Sequence, residues 1–138
     1  MSLPHPTAPP VTAPTVRGHL TILRVDHWIK NVFVIPGIVL AWFMEPESFA
    51  AAHAVSITTG LFAACLVSSS NYVLNEILDA DYDRVHPTKR RRPVPAGEAH
   101  KPLAYVQWIV VGVLGVALGA AVSVQFAWVL VALWSMGC

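Results

Sequence analysis

NYVLNEILDADYDRVHPTKRRRPVPAG, residues 71–97, starts apolar, turns acidic and ends basic. Asn71, Asn75, Asp79 and Asp83 are spaced by four. On a helix each such step drifts by about 40°, so the four share one broad stripe roughly 18 Å long. Carboxylates stacked a turn apart repel each other unless something positive lies between them. Mg²⁺ shared with a phosphate meets that need, because Mg²⁺ favours one or two carboxylates plus phosphate oxygens. Glu76 and Asp81 lie off the main stripe. Arg84, Lys89, Arg90, Arg91 and Arg92 follow directly. Carboxylates for a metal and then cations for phosphate are what a metal–diphosphate site requires. A merely solvated helix end explains the acids less well, since acids at a helix C-terminus oppose the macrodipole. The basic run also suits a topology anchor, and the two roles are compatible.

Upstream, Phe49–Leu74 is uncharged and long enough to span a bilayer. It is rich in Ala, Gly and Ser, which let helices pack closely in lipid. His53 near its start reads as interfacial. Residues 31–44, NVFVIPGIVLAWFM, are also uncharged, and Pro36 predicts a kink in the span they form. Residues 17–30 mix Arg17, Arg24 and Lys30 with Trp28 and aliphatic residues, which predicts an interfacial helix leading into that span. Residues 1–16 are Pro-, Thr- and Ala-rich and read as a disordered tail, with residues 17–138 as the folded part. Downstream, Leu103 to the C-terminus carries no charge. It is too long for one span, so a third span over about 104–123 and a fourth starting near Phe126 are expected.

The composition agrees: 55% of residues are apolar and 12% charged, about half the usual charged share. The formal net charge of +1 carries no nucleic-acid signature, and one basic loop between spans offers no extended surface for one. Two cysteines form neither a disulfide framework nor a metal knuckle. Lys and Arg flank the first span on its N-terminal side and fill 84–101, whereas the Glu45–Glu47 loop has none. The positive-inside rule then puts the N-terminus and the 84–101 loop in the cytoplasm of a multi-pass inner-membrane protein.

N-x-x-x-D-x-x-x-D followed by R-x-H-P-T-K-R-x-R-P-x-x-x-G resembles the first aspartate-rich motif of the UbiA superfamily of intramembrane prenyltransferases. The matching residues are Asn75, Asp79 and Asp83, then Arg84, His86, Pro87, Thr88, Lys89, Arg90, Arg92, Pro93 and Gly97. Trp28, Lys30 and Asn31 are similar to the W-x-K-N that opens the first helix in part of that family. The H-P-T-K-R form is most similar to the branch of decaprenyl-phosphate phosphoribosyltransferases. The resemblance implies an all-α transmembrane bundle, here the first three to four helices of a nine-helix fold. It implies Mg²⁺ held by Asp79 and Asp83 with Asn75 in support. Lys89 and Arg92 would hold a diphosphate, with Arg84, Lys30, Asn31 and Asn71 on the substrate side. The substrates it implies are a diphosphate-bearing donor and an isoprenoid or polyprenyl phosphate, drawn from the membrane lipid.

The chain departs from the pattern in two ways. Glu76 stands where the family usually has Asp. Family members are about twice as long and carry a second aspartate-rich motif, so a truncated N-terminal piece is expected here. The rival readings are an aromatic-acceptor prenyltransferase and a non-catalytic membrane fragment. His86 and Thr88 are candidates to hydrogen-bond a ribose.

Overall fold

A computed structural model describes residues 13–44 and 51–137, and all regular structure among the described residues is helical. Most of the expected tail and the Glu45–Glu47 loop lie outside the described residues. Thr15, expected in the tail, is part of the fold. Its hydroxyl accepts from the Gly18 N–H at 3.0 Å and caps α1, Val16–Thr21.

The helix expected over 17–30 is not continuous. α1 ends at Thr21, Arg24 takes a left-handed φ of 47°, and Val25–Phe33 forms a 3-10 segment. α2 follows over Val34–Met44. Pro36 does not kink a helix here. It lies in the first turn of α2, where its missing N–H forfeits no intrahelical bond. Its ring would clash with an α-helical carbonyl four residues earlier, which accounts for the 3-10 geometry on the approach.

α3, Ala51–Asp83, has 33 residues and is therefore about 50 Å long. A hydrocarbon core is about 30 Å thick, so the polar end of α3, Asn75–Asp83, stands beyond it. A 3-10 turn over Lys89–Arg91 and the single turn α4, Pro93–Ala96, lead into α5, Lys101–Val122. α6 spans Val124–Met136. The break between α5 and α6 falls at Ser123, slightly before the expected point. Ser123 is extended and its Oγ accepts from the Phe126 N–H at 3.1 Å, the arrangement of an N-cap.

α3 packs along α5, and α6 folds back against both. A Cβ added at Gly115 of α5 would lie 2.8 Å from Cγ2 of Val67, so the two backbones meet with no room for a side chain. Gly112 gives the same clearance to the Trp134 ring. Hydroxyls stitch the helices together: Ser70 donates to the Trp108 carbonyl at 2.7 Å, and Trp134 Nε1 donates to Ser70 Oγ at 2.9 Å. Trp28 Nε1 reaches Ser69 Oγ at 2.8 Å and pins the 3-10 segment to α3.

The outer surface is apolar. Val106, Ile109, Val113 and Leu114 of α5, Trp128 and Val129 of α6, and Leu40 and Phe43 of α2 are all exposed. Surfaces of that kind belong against lipid or further protein, not water. Three stretches, Val16–Met44, His53–Asp83 and Lys101–Val122, are long and apolar enough to cross a membrane, and α6 is apolar but shorter. The architecture is an all-α membrane helix bundle.

Candidate functional site

The last turns of α3 form one wall of a cleft of about 180 Å³ lined by Arg24, Tyr72, Asn75, Glu76, Asp79 and Arg92. Asn75 and Asp79 are exposed there, as a ligand-facing pair should be. Glu76, off the stripe by helical geometry, is 3% exposed. Its Oε2 accepts from Arg24 Nη2 at 3.5 Å, and its Oε1 has no hydrogen-bond partner among the described residues. A buried carboxylate oxygen without a partner is costly and demands a cation or a donor. Arg24 also stands over the Tyr72 ring, 5.8 Å from its centroid. The left-handed backbone at Arg24 is rare for an L-residue. It is held between buried Ile22 on one side and Trp28, bonded to Ser69, on the other.

Asp83 closes α3 and is 3% exposed. Arg92 Nη1 donates to its Oδ2 at 2.7 Å, and Lys89 Nζ lies 3.7 Å from its Oδ1. The loop that brings these cations back is built by its own sequence. His86 Nδ1 accepts from the backbone N–H groups of Thr88 and Lys89, both at 3.3 Å, which places the imidazole proton on Nε2. The Thr88 hydroxyl lies 3.2 Å from the same nitrogen. His86 and Thr88, expected to be free for a sugar, thus bond to each other within the turn. Pro93 opens α4, and Gly97 ends it in a left-handed conformation at φ 84°.

The other expected site residues lie elsewhere. Asn71 faces α6, with Nδ2 donating to the Leu133 carbonyl at 3.1 Å. The stripe therefore divides: its first member packs inside the bundle and its last is an ion-pair partner. Arg84 lies 3.8 Å from Asp81 and lines a separate hollow with Lys101, which bonds Asp81 at 3.0 Å. Asn31 donates to Cys65 Sγ at 3.0 Å, which is ten residues and about 15 Å down α3 from Asn75. Lys30 is exposed on the 3-10 segment and does not line the cleft. The structure thus brings Asn75, Asp79 and Arg92 together, with Asp83 and Lys89 behind Arg92. It adds Arg24 and Tyr72, which lie outside the spaced motif, and brings in Glu76, a weaker off-stripe candidate. Arg24 was absorbed into a membrane-anchor pattern. Glu76 carried one usable signal: an acid followed by Ile77 and Leu78 in an apolar context needs a partner if buried.

Apolar helices of spanning length capped by an acid-and-cation cleft define an integral membrane protein of the α-helical class. Residues 32–138 match the UbiA prenyltransferase family, and the chain belongs to that family. Among curated proteins, decaprenyl-phosphate phosphoribosyltransferase of Mycobacterium tuberculosis (strain ATCC 25618 / H37Rv) is 33% identical over 132 residues, covering 94% of this chain and 42% of the relative. The enzyme of that name from Mycolicibacterium smegmatis is 30% identical over 125 residues, covering 82% of this chain and 39% of the relative. Protoheme IX farnesyltransferase of Leptospira biflexa is 29% identical over 84 residues, covering 61% of this chain and 29% of the relative. The chain spans about two-fifths of the length of the two phosphoribosyltransferases.

Proposed function

We propose that this chain supplies the diphosphate-binding side of a membrane transferase acting on a polyprenyl phosphate, with phosphoribosyl diphosphate as donor. The observation that carries the reading is the Glu76 carboxylate, buried with one oxygen unpartnered, beside exposed Asp79 in a cleft that also holds Arg24 and Arg92. The described residues contain no cluster of three or more His, Cys, Asp or Glu able to hold a metal by themselves. Two carboxylates and an amide are nevertheless a suitable Mg²⁺ share when substrate phosphate completes the coordination. Glu76 and Asp79 would hold the ion, with Asn75 in support. Asp83 belongs to the same constellation through Arg92, as an indirect participant. When bound, the ion would neutralise charge on the departing diphosphate.

The chain's own residues do the remaining work. Arg92 is oriented by Asp83 and lines the cleft for phosphate oxygens, and Lys89, beside the same carboxylate, adds positive charge behind it. Arg24 balances Glu76 while the cleft is empty of cations and is a third donor for phosphate once that balance is no longer needed. Preorganised cations of this kind stabilise charge developing on a leaving group. By the positive-inside rule the cleft would open to the cytoplasm, where a water-soluble phosphorylated sugar would enter. The names of the relatives support the ribosyl donor. A prenyl diphosphate donor is the second reading, favoured by the farnesyltransferase relative and by an apolar hollow of about 260 Å³ between α2, α3 and α6.

The test is calorimetric binding of inorganic diphosphate to the detergent-solubilised chain with and without Mg²⁺. Binding should require Mg²⁺ and weaken at least about tenfold in Asp79→Asn and in Glu76→Gln, a loss of about 1.4 kcal/mol. Affinities within twofold of the parent would remove the site. Competition by phosphoribosyl diphosphate but not by a prenyl diphosphate would favour the ribosyl donor, and the opposite order would favour the prenyl one.

A further inference from the structure

A second basic hollow lies outside the cleft, between α1 and the turn that carries the triple arginine. Its volume is about 580 Å³ and it is lined by Thr15, Arg17, Thr21, Arg91, Pro93 and Glu98. Two contacts create it. The Thr15 N–H donates to the Glu98 carbonyl at 2.8 Å. Gly18 rests on that same carbonyl, with no space for a Cβ. α1 is thereby laid against α4, and Arg17 is brought to the same hollow as Arg91. Neither guanidinium has an ion-pair partner among the described residues. With Glu98 present the hollow carries a net charge of +1 from two arginines and one glutamate.

The depth of this hollow follows from α1. His19 Nδ1 meets Gln107 Oε1 at 3.0 Å, and Gln107 Nε2 donates to the His19 carbonyl at 2.8 Å. His19 Nε2 also accepts from the His100 N–H at 3.2 Å, so α1 lies across the first turns of α5 at its Lys101 end. α5 has 22 residues, about 33 Å, so its Lys101 end marks one edge of the hydrocarbon core. α1 therefore lies at the boundary between headgroups and acyl chains. Its outward face suits that level: Val16 and Leu20 are exposed beside Arg17, and Val25 and Ile29 continue the apolar patch.

We propose that this hollow binds the headgroup of an anionic phospholipid, with a hydroxylated phosphodiester such as phosphatidylglycerol as the fitting class. The phosphodiester would take Arg17 and Arg91, the headgroup hydroxyls would take Glu98, and the acyl chains would lie over Val16 and Leu20. A single negative charge matches the +1 of the hollow. A choline headgroup offers Glu98 no hydrogen-bond donor, and its zwitterion leaves the +1 of the hollow uncompensated. A free phosphate would make no use of the apolar rim. The site is separate from the diphosphate cleft and does not depend on its assignment.

The experiment is native mass spectrometry of the full chain released from detergent with phosphatidylglycerol, phosphatidylethanolamine, phosphatidylcholine or inorganic phosphate. One phosphatidylglycerol should be retained preferentially. Arg17→Gln and Arg91→Gln should each reduce that retention about fivefold, following the usual contribution of one basic residue at an anionic surface. In the unsubstituted chain, where folding is not at issue, raised salt should release phosphatidylglycerol and leave phosphatidylcholine binding unchanged. Equal retention of phosphatidylethanolamine or phosphatidylcholine would overturn the proposal. So would salt-insensitive retention, displacement by inorganic phosphate at equal concentration, or retention in both variants equal to the parent.

Discussion

Asp83 is the residue on which the acidic and basic halves of 71–97 meet. Replacing it with Ala would leave Arg92 and Lys89 without the carboxylate that orients them. Arg92 is partly exposed and can turn to water, so the cost is that of a lost charged hydrogen bond, about 1–3 kcal/mol, and not that of a fully buried charge. Asp83→Ala should therefore lower the urea midpoint followed by Trp fluorescence and speed tryptic cleavage after Lys89–Arg91. Unchanged midpoint and cleavage rate would show that the pair contributes nothing. The acids were legible in the sequence because spacing by four is a helical signature. Their division of labour was not. A 40° drift per step, accumulated from Asn71 to Asp83, turns one end of the stripe into α6 and the other toward the returning loop. The burial of Glu76 was not legible, for the complementary reason. It depends on Arg24, which lies 52 residues away, and no local pattern reports that contact.

Among the elements, α3 and α5 pack along each other with Gly115 at their contact. Gly115→Leu would force a side chain into Val67 and the Ala63 carbonyl and push the helices apart. Overpacking of this kind typically costs about 1–3 kcal/mol. Gly37→Ala on α2 is the control, since an added Cβ there has nothing within 4 Å. It should be neutral or raise stability by up to about 1 kcal/mol through helix propensity. Thermal unfolding in one detergent, monitored by circular dichroism, compares the two, and equal midpoints would contradict the packing. The spans were readable because uncharged runs of bilayer length are a strong signal. The entry to α2 was less so. Pro36 signals a disturbance, but whether it kinks a helix or starts one depends on whether the preceding residues are held as α or 3-10. Here Arg24 and the Trp28–Ser69 bond hold the start of the 3-10 segment, and the Pro36 ring keeps its end out of α geometry.

For the molecule as a whole, the asymmetry of Lys and Arg predicts its orientation. Single cysteines placed at 90 and at 47, in a chain lacking its own cysteines, should react with an impermeant maleimide from opposite sides of the membrane. Position 90 should be protected in intact cells and position 47 labelled, and the reverse pattern would invert the proposed topology. The fold class was legible from composition and run lengths. Which residues face the cleft emerged only from the return of α1 and the loop onto α3.

α3 itself has a consequence for how this protein can vary. The same rigid rod meets α5 through Val67 and presents Glu76 and Asp79 to the cleft. Every residue between those points adds about 100° of rotation and about 1.5 Å of height. Substituting Ser69, Ser70 or Asn71 removes hydrogen bonds to neighbouring elements but leaves that rotation and height unchanged. Losing a single residue would swing Glu76 and Asp79 away from Arg24 while leaving the deeper packing untouched. The segment from 68 to 75 is therefore locked in length. It behaves as a fixed phase between the membrane and the cleft, and an insertion or deletion within it is tolerated only if Arg24 and Arg92 can move by the same screw.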